Sequence, residues 1–436
     1  MTDDLLNIAG DAVARARKLG ADAAVASVVD GVSIDVEMQA GAVEKLERSE
    51  GRRIGLTVYV GKSSASTSGS VFTSEAMDRL AESALAMARL APPNPYAGIA
   101  DPSQLAQAFP DLDLVSSRIP EAAELQDMAQ AVEAAALSVP GVTKSGGAGA
   151  SSFDRTGAMV ISNGFARASR RTGISFSTSA IAGDGTAMER DYDYSSVVHV
   201  EDLRSPEEVG REAGRRAVKR LNPRKVASQA VPVVFDSRVS SSLIGHLLGA
   251  ISGSAIARGT SFLKNDLGKT IFPEGLFIVE DPLRPRGLSS RSFDGDGLPT
   301  QKRNLIEDGR LTTWLLDLRA ARQLGLAPTG HGSGPSNIHM QAGTLTPREL
   351  MRDIRQGLLV TEMIGSSIDM VTGDYSRGAS GYWIENGELT YPVSEITIAG
   401  NLRDIFRTVT PANDLEFSRA TNAPTCRVEG LTIAGR

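Results

Sequence analysis

The sequence predicts an α+β protein. Helices lie on an antiparallel sheet in the N-terminal region, and a mostly antiparallel β-rich domain follows, carrying one glycine-marked helix. Three observations predict this. Short runs with apolar residues at every second position recur between 24 and 60, as a half-buried antiparallel sheet requires. Segments with helical apolar spacing flank them at 3–19 and 74–90. In the second half, Asp308-Gly309 and Asn386-Gly387 each sit between apolar runs, the signature of type I′ hairpins.

Taken in order, residues 3–19 read as an amphipathic helix. Strand runs follow at Ala24 to Val29, Val32 to Met38, Val43 to Leu46 and Ile54 to Val60, with Gly31, Gly41, Gly51 and Gly61 read as turns. Ser74 to Leu90 is the next helix. Residues 91–113 are rich in Pro and Asp and read as a connector, a possible boundary within this region. A helix from Glu121 to Leu137, a Gly- and Ser-rich strand set over 141–182 and a helix from Pro206 to Leu221 complete it. Asn222-Pro223-Arg224 stops that helix, because proline cannot continue it. The main boundary is placed there, giving regions 1–225 and 226–436. The second region opens with the strand Val231 to Phe235 and then a helix from Ser240 to Phe262. Ile306 to Thr312 and Ile384 to Thr390 are similar to each other. Duplication would explain this, but shared turn chemistry is the more economical reading.

With 436 residues and 41% hydrophobic content, the chain has ordinary folded cores in two or three domains. A net charge of −6 argues against a general nucleic-acid binder. Small basic clusters such as Arg170-Arg171 and Arg215-Arg216 read as solvated faces. No apolar run is long enough to span a membrane. The start, MTDDLLNIAG, lacks the apolar core of a secretion signal. Cys426 is the only cysteine, so no intrachain disulfide can form, and the expected compartment is the cytoplasm.

The helix over 240–262 carries the most information. Leu243, Ile244, Leu247, Leu248, Ile251 and Ala255 share one side, while Gly245, Gly249 and Gly253 share the other with His246 among them. Each glycine costs a helix about 1 kcal/mol relative to alanine, so close approach of another backbone is expected at these positions. Together with Gly259-Thr260-Ser261 behind it, this helix resembles the central motif of the TldD/PmbA family. Val43 to Arg48 with Arg53 to Leu56, and the block Val371 to Gly387, resemble the same family, and the resemblance covers nearly the whole chain.

In the family's catalytic branch this helix carries His-Glu-x-x-x-His, a zinc site. Aligned on Gly-Thr-Ser, those positions are Ile244, Gly245 and Gly249 here, and neither residue type offers a ligand atom. The chain therefore resembles the metal-free, PmbA/TldE-type branch. The resemblance implies a non-catalytic subunit with no cofactor of its own, zinc in a TldD-type partner, and unfolded peptides as substrates of the pair. His246, Gly253, Thr260, Ser261, His331, Ser333 and His339 are the implied peptide or partner contacts. The last three lie in the glycine-rich run Gly330 to His339, suited to close backbone approach. The catalytic sibling also uses a C-terminal cysteine as a zinc ligand, whereas Cys426 lies in an alternating strand pattern and reads as a core residue.

Other readings stay open. The chain is alternatively a homodimeric peptide- or ligand-binding protein without catalysis. A third reading is an independent hydrolase, built on Ser261 or on a metal held by His246, His331 and His339. Ser261-Phe262-Leu263-Lys264 matches Ser-x-x-Lys, but the companion Ser-Asp-Asn and Lys-Thr-Gly elements are missing. Asp294 and Asp296 suggest a calcium loop but lack the remaining ligands, and turn formation explains them better.

Overall fold

The computed structural model describes residues 2–435. In the N-terminal half, helix α1 (Thr2–Lys18) precedes strands β1 (Ala23–Gln39), β2 (Ala42–Val60) and β3 (Ser63–Gly69) and helix α2 (Ser74–Leu90). After the connector come α3 (Ala122–Leu137), β4 (Val142–Ile161), β5 (Ala166–Ala182), β6 (Glu189–Val197) and α4 (Pro206–Lys219). All six strands form one antiparallel sheet in the order β3-β2-β1-β4-β5-β6. The 91–113 connector therefore does not divide the sheet, since β1 pairs directly with β4.

The even-numbered residues of β1 explain why the helices cover one face. Ala24, Ala26 and Val28 pack with Leu5, Ala9 and Ala12 of α1 and Ala81 and Leu85 of α2. Further along the same face, Ile34, Val36 and Met38 pack with Leu125, Ala129 and Val132 of α3. Small residues let these helices sit close to the sheet.

Two expected turns are absent. Gly31 and Gly51 face each other in the middle of β1 and β2, so four short runs are in fact two long strands. Gly31 is needed for closeness instead: a Cβ there would lie 2.8 Å from the Asp154 carbonyl oxygen. The real turn is Ala40-Gly41, with φ of 51° and 81°. The buried Glu133 of α3 accepts both of its amides, at 2.9 and 2.8 Å. β3 and β6 were not foreseen, because Ser63–Gly69 holds no large apolar residue and β6 buries Asp191 and Asp193 on its inner face.

The C-terminal half contains β7 (Gln229–Phe235), α5 (Ser237–Ala250), α6 (Gly253–Arg258), β8 (Ile278–Glu280), β9 (Arg303–Glu307), β10 (Arg310–Leu311), α7 (Leu318–Leu324), β11 (Ile338–Met340), α8 (Pro347–Met351), β12 (Gln356–Ile368), β13 (Asp374–Glu385), β14 (Glu388–Asn401), α9 (Leu402–Thr408), β15 (Thr410–Pro411), β16 (Thr421–Asn422) and β17 (Cys426–Ala434). One sheet runs β14-β13-β12-β7-β17-β15, and a further pairing of β14 with β17 closes it into a barrel. Only β7 and β12 run parallel in it. A second sheet, β10-β9-β8-β11-β16, packs on the same core through Ile278, Leu305, Ile306 and Ile338.

Both hairpin signals are realised. Asp308-Gly309 joins β9 to β10 and Asn386-Gly387 joins β13 to β14, with φ between 51° and 82°. They lie in different sheets. The α+β class is as the sequence predicts. Among the described residues, no helix is long and apolar enough to cross a membrane.

Candidate functional site

The chain leaves β7 at Phe235, and Asp236 caps α5 by accepting the Arg238 amide at 2.9 Å. The expected single helix over 240–262 is broken at Ile251-Ser252. Ser252 caps α6, and the 315 segment takes the freed backbone groups: Leu315 donates to Ile251 at 3.0 Å and Gly253 donates to Leu315 at 2.8 Å. The apolar stripe is as expected, with Leu243, Ile244, Leu247 and Ile251 buried in the barrel core. Ile244, one of the three positions that the sequence resemblance singled out, thus points inward.

Gly245 and Gly249 lie on the exposed side. A Cβ on Gly245 would meet nothing within 4 Å, and one on Gly249 only the flexible Met370 Cε at 3.2 Å. Close approach is found at Gly253 alone, where a Cβ would lie 2.7 Å from Ala320 Cβ and 2.8 Å from the Leu315 carbonyl oxygen.

His246 is half-buried, edge-on to Tyr375 with ring centroids 5.7 Å apart. Burial, helped by the charge of Arg377, lowers its pKa to about 4. Its Nε2 is buried and, among the described residues, has no hydrogen-bond partner. Ser261 is fully enclosed: its hydroxyl donates to the Ala250 carbonyl at 2.6 Å and accepts the Leu263 amide at 3.0 Å. It ties the turn to the end of α5. Lys264 donates instead to the Gly259 carbonyl at 3.3 Å, so the Ser-x-x-Lys pair does not form. Thr260 is exposed and returns a long bond of 3.4 Å to the Ala255 carbonyl.

A zinc ion does not fit this helix. Ile244, Gly245 and Gly249 supply no donor, and His246 stands alone. Cys426 is buried against Met340 with Sγ to Sδ at 3.6 Å, and burial pushes its thiol pKa up, away from the thiolate a metal needs.

The 330–339 loop closes on a buried carboxylate. His331 meets Glu280 at 2.9 Å through Nε2 and the Thr329 hydroxyl at 2.8 Å through Nδ1. Ser336 gives Glu280 both its amide, at 2.8 Å, and its hydroxyl, at 3.0 Å. Burial alone would raise the Glu280 pKa; His331 and Ser336 outweigh it and hold the carboxyl below its usual range. Ser333 is exposed. His339 sits on β11 edge-on to Phe417 at 5.1 Å, its pKa lowered by burial and by Arg284 and Lys302. The structure does not bring His246, His331 and His339 together. Among the described residues, no three His, Cys, Asp or Glu side chains are placed to hold a metal ion. Asp294 is a turn residue, accepting the amides of Asp296, Leu298 and Gly332 at 2.8–2.9 Å.

Sequence reasoning missed a cleft of about 340 Å³ between β6, the start of α5 and the 416–423 segment. Consecutive β6 residues from Asp193 to Val197 line it, which sets along it the edge of that strand that has no neighbouring strand among the described residues. Arg204, Arg216, Arg238 and Arg419 also line it. Arg204 and Arg216 hold the nearly buried Asp193 at 2.9 and 3.2 Å, and Arg419 lies over the Tyr194 ring at 5.4 Å. Arg171, likewise, is half-buried and donates to the Gly287 carbonyl at 2.6 Å. Neither Arg171 nor Arg216 is therefore the solvated residue its sequence suggests. The alternation in Asp191-Tyr192-Asp193-Tyr194 is the one signal that marked this edge, and it buries acids rather than apolar groups.

Family models describe three successive parts of the chain: PmbA/TldA metallopeptidase domain 1 matches 24–88, the central domain 116–221 and the C-terminal domain 228–435. The chain is 39% identical to the metalloprotease PmbA of Escherichia coli O157:H7, over 95% of this chain and 93% of that one. It is 36% identical to a PmbA homolog of Haemophilus influenzae, over 97% and 94%. A crystal structure from Bacteroides thetaiotaomicron superposes with a TM-score of 0.94 at 28% identity, covering 100% of both chains. TldE from Thermococcus kodakarensis shares the fold, with a TM-score of 0.86 at 18% identity over 98% and 100%. With its three domains matched in order and near-complete coverage of PmbA, this chain belongs to the PmbA/TldD metallopeptidase family.

Proposed function

We propose that this chain is the metal-free subunit of a heteromeric zinc peptidase, working with a zinc-bearing TldD-type partner on unfolded peptides in the cytoplasm. The observation that carries the reading is the donor set of α5. At the positions of His-Glu-x-x-x-His stand a core isoleucine and two exposed glycines, so the chain has neither ligands nor a general base there. The relatives' names, metalloprotease PmbA and its homolog, support a peptidase-related role. This chain contributes walls and peptide contacts. An extended peptide lies along the free edge of β6, where main-chain hydrogen bonds hold it without regard to sequence. The smooth face at Gly245 and Gly249 leaves room for a partner or peptide backbone against α5.

The test is cleavage of an unfolded polypeptide by this chain alone, by a TldD-type subunit alone and by the mixture, each with and without a chelator. Activity in the mixture only, abolished by the chelator, is the expected result. Chelator-sensitive cleavage by this chain alone overturns it. Silence in every combination, with zinc confirmed in the sibling, favours a homodimeric binding protein.

A further inference from the structure

Four half-buried guanidinium groups gather where the C-terminal half meets β5: Arg171 of β5, Arg284 and Arg291 in the segment after β8, and Arg303 at the start of β9. Acids there are too few. Among the described residues, Arg171, Arg284 and Arg291 form no ion pair: Arg171 donates to the Gly287 carbonyl at 2.6 Å, Arg291 to the Gly334 carbonyl, and Arg284 lies over the Phe417 ring at 4.8 Å. Arg303 stands 3.9 Å from Glu280, which His331 and Ser336 already occupy. Asp281 takes Lys302 at 3.3 Å, and Asp294 is committed to backbone amides. The Nε atoms of Arg291 and Arg303 are buried and have no hydrogen-bond partner among the described residues.

Guanidinium groups keep their charge in proteins, so half-burying them without acids costs free energy that an incoming anion recovers. Burial lowers the pKa of all four, with Arg291 adding to the effect on Arg171, and the nearby acids do not offset it. Arg204 and Arg238 show the opposite balance, because Glu208, Asp193 and Asp191 hold them. The cluster also stands at one end of the β6 cleft. Phe417 lines that cleft while its ring carries Arg284. Val197, the last β6 residue along the cleft, pairs with Ile174, just beyond Arg171 on β5. A strand lying on the β6 edge therefore leads to these arginines.

We infer that this cluster is a carboxylate-binding site: the main chain of an unfolded peptide follows the β6 edge, and its acidic side chains or its C-terminal carboxylate settle among Arg171, Arg284, Arg291 and Arg303. The planar guanidinium fork suits a carboxylate, and the charge excess favours acidic peptides over neutral ones. The class of ligand rests on the peptidase reading; the anion preference rests on the cluster itself.

The experiment is fluorescence anisotropy on the purified full chain without a partner, using an N-terminally labelled ten-residue Gly-Ser peptide that ends in two glutamates. Companion peptides replace the glutamates by glutamine, amidate the C-terminus, or do both, which separates side-chain carboxylates from the terminal one. The peptide with neither is expected to bind roughly tenfold or more weakly than the parent, and salt to weaken the parent. Arg284→Gln breaks no hydrogen bond or ion pair among the described residues. It and Arg171→Gln should each erase most of the preference, with the fold intact by circular dichroism. Arg79→Gln, exposed on α2, removes the same charge elsewhere and should keep the preference. Equal binding of all four peptides, a preference that survives both cluster variants, or one lost equally in Arg79→Gln overturns the inference. Binding is read on this chain alone and without cleavage, so such a failure leaves the peptidase reading standing, and an inactive mixture leaves the carboxylate site standing.

Discussion

Arg238, in the first turn of α5, donates to the buried Asp191 carboxylate of β6 at 2.7 Å, and so ties the C-terminal barrel to the N-terminal sheet. Arg220 reaches the same carboxylate at 3.5 Å, lies 3.5 Å from Glu189 and also pairs with Glu362 of β12. Asp191 accepts from both halves of the chain. Its loss leaves two guanidinium groups buried with one fewer counter-charge. Asp191→Ala is expected to lower stability by about 3–5 kcal/mol. The double variant with Arg238→Ala should lose clearly less than the sum of the singles. Urea denaturation of the four-member cycle measures this, and strict additivity would show that the pair is not coupled.

Gly253 and Gly245 should behave in opposite ways. Gly253→Ala forces a methyl against Ala320 and the Leu315 carbonyl, and should cost about 1–3 kcal/mol. Gly245→Ala meets empty space and should stabilise the isolated chain by about 0.5–1 kcal/mol through helix propensity. If the glycine face admits a partner or peptide, Gly249→Leu will depress activity of the mixed complex while the chain's own melting temperature stays nearly unchanged. Full activity in that variant would count against a working role for this face.

Ser261 is placed as a structural tie. Ser261→Ala removes bonds to Ala250 and Leu263 in a fully buried setting and should destabilise the chain by about 1–3 kcal/mol. Any activity of the complex should fall only in step with the folded fraction. An intact fold with abolished turnover and a trapped acyl adduct in the wild type would instead mark a nucleophile.

Two half-buried groups set opposite pH dependences. His246 has a folded pKa of about 4, below its ordinary value near 6.5, so the folded state prefers the neutral ring. Its contribution is complete above about 6.5 and is lost as pH falls toward 4, a change of about 3 kcal/mol at most. Asp296 is raised to about 6 by burial and by Asp294 and Asp317, so the folded state prefers the protonated acid. Its contribution is complete below about 4 and is lost as pH rises to 6, again by about 3 kcal/mol at most. Asp296→Asn should stabilise the chain above pH 6 and remove that slope, while His246→Phe should remove the other. Denaturant titrations across pH 4–8 on both variants decide the matter.

The alternating runs of β1, β2 and β7, the helical stripes and the two Xaa-Gly turns all had local signals. They rest on period and turn chemistry, which a sequence displays directly. Gly31 and Gly51 misled because glycine marks both turns and close strand contacts, and only the neighbouring Asp154 carbonyl decides which applies. The break at Ile251-Ser252 depends on Leu315, more than sixty residues away in the chain, and no local pattern carries it. Around α5, the apolar stripe and the exposed side with Gly245 and Gly249 were legible, while Gly253 falls instead on α6, packed against Ala320 and Leu315. The cleft was not, because its arginines come from β6's surroundings, α4, α5 and the 416–423 segment, and only the fold assembles them.

The barrel is a ring whose first and last strands are neighbours, since Cys426 to Ile433 of β17 pair with β7 on one side and Thr432 to Ala434 with β14 on the other. During synthesis, then, the strand that opens this domain waits for β17, about 190 residues later, before both its edges are satisfied. A nascent chain, or one cut short before Cys426, presents β7 and β14 as two bare templates for mispairing. Loss of β17 would thus expose the whole domain to aggregation, and a chaperone would have to shield those two edges until that strand emerges.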